Sequence, residues 1–284
     1  MAISKVSTLS ATNGFPKYPS AAVSNTLQGQ STSIDILQYS PAVWLDSTDV
    51  STLTMSSNRV SQWNDKSGNG THFTQGDGGR QPLYEATGMN GKPAIYFDGA
   101  RCLDRTSYQM FATNSSPVTM FFVTRQLATA QQNFYFTWNV ATSPGCQNLE
   151  CGYYADGASN GVGPQHGIHR GCGQGIRTSQ QTYSATEVGM FQIKSTGSAP
   201  NHVVYRSGGV EQTVLTATSG VSWMSPGSYV TSNGSMRIGG RKDSDSSGFD
   251  SIFIGHVAEL IIFKSELSLP AIQNVEKYLM GRWN

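Results

Sequence analysis

Charge is scarce in this 284-residue chain: Asp, Glu, Lys and Arg make up 13% of it and nearly cancel, leaving a formal +1. Such a balance excludes a strongly basic nucleic-acid footprint and an acidic, solvating tail. Long apolar runs are missing too. No stretch of signal-peptide length precedes Pro16 and Pro19, so the sequence predicts neither a secretory signal nor a membrane span. The longest apolar stretch, 252–263, is broken by Gly255, His256 and Glu259 and suits a buried strand. Cysteine is limited to Cys102, Cys146, Cys151 and Cys172 with no C-x-x-C spacing, which argues against zinc even with His166 and His169 near Cys172. Reduced thiols are expected, with a Cys146–Cys151 or Cys151–Cys172 bridge as the alternative. Sequons begin at Asn69, Asn114 and Asn233, as chance provides in a hydroxyl-rich chain.

What the chain does hold is hydroxyl, glycine and aromatic residues. Ser and Thr supply roughly a fifth of it, beside 31 Gly, 12 Tyr, 12 Phe and 5 Trp. So many aromatic rings require a core, and so many turn formers require a turn-rich, β-rich protein. Residues 1–40 differ: they are Ser/Thr/Ala/Gln-rich, nearly free of bulky apolar side chains before Ile34, and unable to fold alone. They are expected to form an extended N-terminal arm, ordered by assembly contacts. From Pro41 onward, short strand-like pieces alternate with Gly, Asn, Asp and Pro, clearest at 94–97, 118–123, 133–138, 190–193, 202–205 and 257–263. Many strands without intervening helices predict an antiparallel two-sheet sandwich or jelly roll.

One short C-terminal helix is expected. Ser268 is its N-cap and Pro270 lies in its first turn; Leu269, Ile272, Val275 and Leu279 share the inner face, Gln273, Glu276 and Lys277 the outer, and Gly281 marks the end. The glycine-rich segment 144–175 is expected to be a long loop, and its Tyr153, Tyr154, His166, His169 and Arg170 are the candidate glycan or partner contacts. Trp44, Trp63 and Trp283 are expected in the core, while Trp138 and Trp223 remain open as sugar-stacking surfaces.

The segments Pro41–Asp46, Val60–Gly70, Asn90–Gly99 and Gly255–Phe263, followed by the helix, resemble in order, spacing and wording the bacterial and phage laminin-G-like domains of the concanavalin A-like lectin/glucanase superfamily. The resemblance covers about residues 41–284 and implies a concanavalin A-like jelly roll. That superfamily contains both glycosidases and binders. The glycosidases set carboxylates alternately along one strand, whereas the seven glutamates here are isolated from one another. Neither a Gly-x-Ser-x-Gly nor a His-Glu-x-x-His motif is present. The sequence therefore reads as not an enzyme. Asp46, Asp49, Asp65 and Asp98 are read as turn builders rather than ligands. Asp243, Asp245 and Asp250 offer alternating oxygens for calcium, the one candidate cofactor, although the closing glutamate of a calcium loop is missing and Ile254 stands in its place.

The function expected on these grounds is that of a bacteriophage virion structural protein. Its lectin-like jelly roll is anchored by the arm, as capsid decoration or as part of a tail or fibre. It would sit in the virion as a homo-oligomer among other virion subunits, with no nucleic acid and no membrane as partner. The alternative is a carbohydrate-binding module for a bacterial surface glycan, with or without calcium.

Overall fold

A computed structural model describes residues 34–113, 115–127, 132–139, 148–154, 165–170, 174–178, 187–196, 203–216, 233–242 and 249–284. The chain divides into two units, Met1–Ser33 and Ile34–Asn284. The expected arm lies outside the described residues as far as Ser33. Residues 34–40, counted with that arm above, belong to the second unit: Ile36 is buried and the Tyr39 hydroxyl accepts from Asn274 Nδ2 at 2.9 Å.

Every strand pairing among the described residues is antiparallel, and the pairings resolve into two layers. In the first layer the central strand is β20 (Ile254–Phe263), which lies against β8 (Val118–Gln126) along its length. On its other side it meets first β6 (Lys92–Asp98) and then β1 (Val43–Asp46). β5 (Leu83–Met89) flanks β6, and β13 (Glu187–Ile193), β14 (Val203–Ser207) and β15 (Val210–Glu211) continue beyond β8. The second layer runs β2 (Leu53–Ser56), β3 (Arg59–Trp63), β4 (Phe73–Thr74), β7 (Leu103–Tyr108), β17 (Gly234–Ile238), β9 (Gln132–Asn139). It continues through β10 (Asn148–Tyr154), β11 (Gln165–Arg170), β12 (Gln174–Thr178) and β16 (Val214–Thr216). A single register pair, Arg59 with Leu83, joins the layers. β18 (Gly240–Lys242) and β19 (Phe249–Ile252) form a separate hairpin.

Alternation along the strands assigns each residue to a face. In β8, Val118, Met120 and Phe122 enter the core between the layers, where they meet Val43, Trp63, Phe97, Trp138 and Phe191. Phe121 and Val123 point the other way, toward helix α1 (Leu269–Trp283) and its Ile272, Val275, Leu279 and Trp283. β20 repeats the scheme with one interruption. A bulge between Val257 and Glu259 shifts the phase, so Val257, Leu260 and Ile262 face the inner core while Ala258, Ile261 and Phe263 face the helix. Each inward side chain stabilises the fold by about 1.5–3 kcal/mol through the apolar surface removed from water.

The helix departs from its expected face pattern. Ser268 caps it, accepting from the Ala271 amide, but Leu269 is 52% exposed, and the helix runs past Gly281 to Trp283. Glu276, expected on the outer face, is buried in a two-pronged pair with Arg206 of β14, at 2.7 and 3.0 Å. The pairing reverses the simple rule because a guanidinium fork compensates the buried carboxylate. Removing one partner leaves the other charge buried, so Arg206→Met is expected to cost about 3 kcal/mol or more, and Arg206→Met with Glu276→Leu to recover most of it. Urea denaturation of both variants checks this, and a double variant no better than the single one contradicts it.

Candidate functional site

The site is assembled by a carboxylate and a bulge. Asp65 follows β3, and its side chain accepts from the Trp44 amide (2.9 Å), the Ser67 amide (2.9 Å) and hydroxyl (2.7 Å), and the Thr71 amide (3.0 Å). These four bonds wind residues 65–71 into a tight loop, with Gly68 and Gly70 at positive φ, and tie it to β1. Asn69 at the loop tip donates to the Pro41 carbonyl at 3.0 Å. The turn-building role read from Asp65 and its neighbours is thus realised.

In β7 the register places Arg105 opposite Met236 and Tyr108 opposite Gly234, so three steps on one strand span two on the other. The extra residue is accommodated where Ser107 takes a left-handed φ of 57°. Without it, Arg105 and Tyr108 would face opposite ways; with it, both line one groove.

That groove, of about 760 Å3, lies where β1 begins and where β7 and β20 end. Its wall includes Ser67 and Asn69 from the loop, Pro41 and Ala42 before β1, Arg105 and Tyr108, and Lys264 after β20. The Lys264 ammonium donates to the Gln109 carbonyl at 2.7 Å and sits 5.4 Å from the Tyr108 ring centroid. Burial pushes the Tyr108 hydroxyl up to about 12, and the nearby Asp65 charge adds to it, so the phenol remains a neutral donor. The volume falls within the usual range for small-ligand sites of about 300–1,000 Å3. A mixture of aromatic edge, amide, hydroxyl and cationic groups suits a polyhydroxylated ligand.

Two buried polar clusters do different work. Glu259 and Asp46 are register partners on β20 and β1, and both are fully buried. Glu259 accepts from the indoles of Trp44 (2.9 Å) and Trp283 (2.8 Å), while Asp46 pairs with Lys66 (2.9 Å) and Arg282 (2.9 Å). This pair of acids is sealed beneath α1 and serves to dock it. In the second cluster, His166 Nδ1 lies 2.8 Å from Glu187 Oε1 and 2.6 Å from the Tyr205 hydroxyl, and its ring stacks on Tyr153 at 4.1 Å. The Tyr153 hydroxyl bonds Thr124 at 2.7 Å. Burial pushes the Glu187 carboxyl up, but the His166 charge and bonds from His166 and Tyr205 outweigh it and leave it below the usual range.

Tyr153 and His166, read as surface contacts, are therefore core residues, because segment 144–175 supplies strands β10 and β11 and the start of β12 where a long loop was expected. Tyr154, His169 and Arg170 occupy strand positions, with Tyr154 opposite Gln165 and His169 opposite Glu150. Of the calcium candidates, Asp243 and Asp245 lie outside the described residues, and Asp250 sits in β19 opposite Arg241. Cys151 is buried and free, which removes both bridges that would have used it; Cys146 and Cys172 lie outside the described residues, as does Trp223. Trp138 is buried in the inner core and offers no sugar platform. No helix among the described residues is long and apolar enough to cross a membrane.

The groove residues escaped the sequence reading because Arg105 and Tyr108 share a face only through the Ser107 bulge. Neither residue type nor spacing announces it.

No family model matches the chain, and no curated protein sequence does. Solved structures do match in fold. A Trypanosoma rangeli sialidase, solved with a difluorinated sugar acid, aligns over 86% of this chain with a TM-score of 0.53 at 10% identity. The match covers 33% of that sialidase, so this chain spans about a third of its length. Domain 4 of a GH43 extracellular arabinanase from Geobacillus stearothermophilus, solved with arabinotriose, aligns over 83% of this chain and 98% of its own length, with a TM-score of 0.52 at 13% identity. Together with the layer topology, these likenesses define an antiparallel β-sandwich of jelly-roll type.

They also correct the reading of the chain as not an enzyme. The architecture is one that glycosidase chains carry, so the missing linear carboxylate motif is no ground for excluding catalysis. At such identities the likeness is one of fold and assigns no activity.

Burial, followed by the neighbouring Asp46 charge, raises Glu259 from its ordinary 4.5 to about 7. Between those values the folded protein holds a proton that the unfolded chain has released, so this group's contribution to stability falls as pH rises from 4.5 to about 7. Relative to Glu259→Gln, the wild-type protein is expected to lose stability between pH 5 and pH 8 in urea melts. Parallel pH profiles for the two proteins contradict this.

Proposed function

We propose that the chain is a carbohydrate-recognition domain of the laminin-G-like, concanavalin A-like type, with its glycan site in the groove at Tyr108. The observation that carries this reading is the groove itself, which combines Asn69, Ser67, Tyr108 and two cationic side chains at the mouth of the sandwich. The arabinanase domain that matches along nearly its whole length, and that was solved with arabinotriose, supports it. Sugar recognition works by matching hydroxyls to fixed donors and acceptors and by laying the apolar ring face on an aromatic or proline surface. Pro41, Leu37 and Tyr108 supply that apolar side. Titration calorimetry against host-cell surface oligosaccharides checks the reading. Binding is expected, and Tyr108→Ala is expected to weaken it by about 1–2 kcal/mol while the melting midpoint stays within a few degrees. Failure of every glycan tested, or binding indifferent to Tyr108→Ala, contradicts it.

For its setting, we propose a bacteriophage virion, as capsid decoration or a tail or fibre part, in a homo-oligomer that presents the groove outward to a host surface glycan. The Ser/Thr-rich first 33 residues, which cannot bury enough apolar surface to fold alone, favour an anchoring role, as does the phage-like wording of the motifs. Deleting residues 1–33 is then expected to leave glycan binding intact and to abolish incorporation into particles. Normal incorporation contradicts the setting without touching the site.

A further inference from the structure

Two cations line the groove, Arg105 and Lys264, and neither has a carboxylate partner among the described residues. Arg105 faces the groove with its Nε buried and without a hydrogen-bond partner, and it enters no ion pair among the described residues. Its sequence neighbour Asp104 is already committed to Arg237 by two bonds of 2.6 and 2.8 Å. Lys264 spends one of its three protons on the Gln109 carbonyl and has no carboxylate partner among the described residues. Asp65, whose charge reaches Tyr108, accepts four hydrogen bonds from its own loop and from β1, so its lone pairs are occupied. Arg206, Arg237, Arg282 and Lys66, by contrast, each have a carboxylate partner, and Arg125, whose Nε is likewise without a hydrogen-bond partner, donates through its other nitrogen to the Gly88 carbonyl.

A buried guanidinium N–H without a partner is unfavourable, and an anion bound at the fork would supply one. Its fork matches a carboxylate or sulfate with two parallel bonds, and the nearby ammonium adds a point charge. We infer that the groove selects an acidic saccharide, whose carboxylate or sulfate seats against Arg105 and Lys264 while the sugar ring lies against Tyr108. This rests on the glycan reading of the same groove and narrows it to a ligand class. Neutral sugars would leave the guanidinium uncompensated and so bind more weakly.

The test compares oligogalacturonate with its fully methyl-esterified form, which keeps the backbone and removes the charge, and adds heparin-derived oligosaccharides as a sulfated arm. Calorimetry on the full chain is expected to show the acidic form binding about tenfold or more tighter than the ester, with an affinity that falls as salt rises. Arg105→Gln and Lys264→Gln are each expected to reduce that preference, lowering affinity for the acid several-fold more than affinity for the ester. Lys264 is exposed, so its variant stays informative should Arg105→Gln fail to fold, which circular dichroism reads directly. Equal binding of acid and ester overturns the inference while leaving the glycan reading in place. So does an acid preference that survives both substitutions, or inorganic sulfate binding as tightly as the oligosaccharides. Absence of binding to acidic and neutral saccharides alike overturns both. The carboxylate and sulfate arms, compared with one another, identify which anion the fork prefers.

Discussion

Three carboxylates, Asp46, Asp65 and Glu259, are taken out of water along one edge of the sandwich, and the need to satisfy them organises that edge. A buried carboxylate without donors costs several kcal/mol, so each must collect them from wherever the chain can bring them. Glu259 takes both of its donors from indoles, one on β1 and one at the last turn of α1. Asp46 takes Lys66 from the loop and Arg282 from the helix. Asp65 takes backbone amides from its own loop and from Trp44. The result is that β1, β20, the 65–71 loop and the C-terminal helix are held as one unit, although they lie far apart in sequence.

The groove is a by-product of that closure. Once Asp65 has wound its loop and Asn69 has bonded back to Pro41, one wall is set. The facing wall comes from the second layer, where the Ser107 bulge turns Tyr108 to the side of Arg105. Bulges of this kind re-aim side chains, and here the re-aimed pair is an aromatic ring and a guanidinium that has no ion-pair partner among the described residues. Arg206, Arg237, Arg282 and Lys66 are paired with carboxylates within the fold, while Arg105 and Lys264 at the groove have no such partner among the described residues.

The sandwich and its helix were legible in the sequence because period-two alternation and the Ser268 cap are local signals. So was the role of Asp65, since Asp, Ser, Asn and Gly in quick succession dictate tight turns by their own hydrogen bonds and φ preferences. What was not legible depended on distant partners. Glu276 looked like a solvent-facing helix residue because Arg206 is 70 residues away. Tyr153 and His166 looked like a polar loop because their neighbours Thr124, Glu187 and Tyr205 come from three other strands. Glycines in 144–175 suggested a loop, yet Gly152 and Gly167 stand opposite one another within the β10–β11 ladder. Arg105 and Tyr108 were passed over because an odd spacing places them on opposite faces of any regular strand.

The account stands or falls on where a saccharide sits. Backbone amide shifts followed by NMR during titration with a bound oligosaccharide locate it without altering the protein. Perturbations concentrated at 40, 42, 67–71, 105–109 and 264 are the predicted result. Perturbations that leave those residues still and gather instead on β10 and β11, around Tyr154, His169 and Arg170, would contradict it.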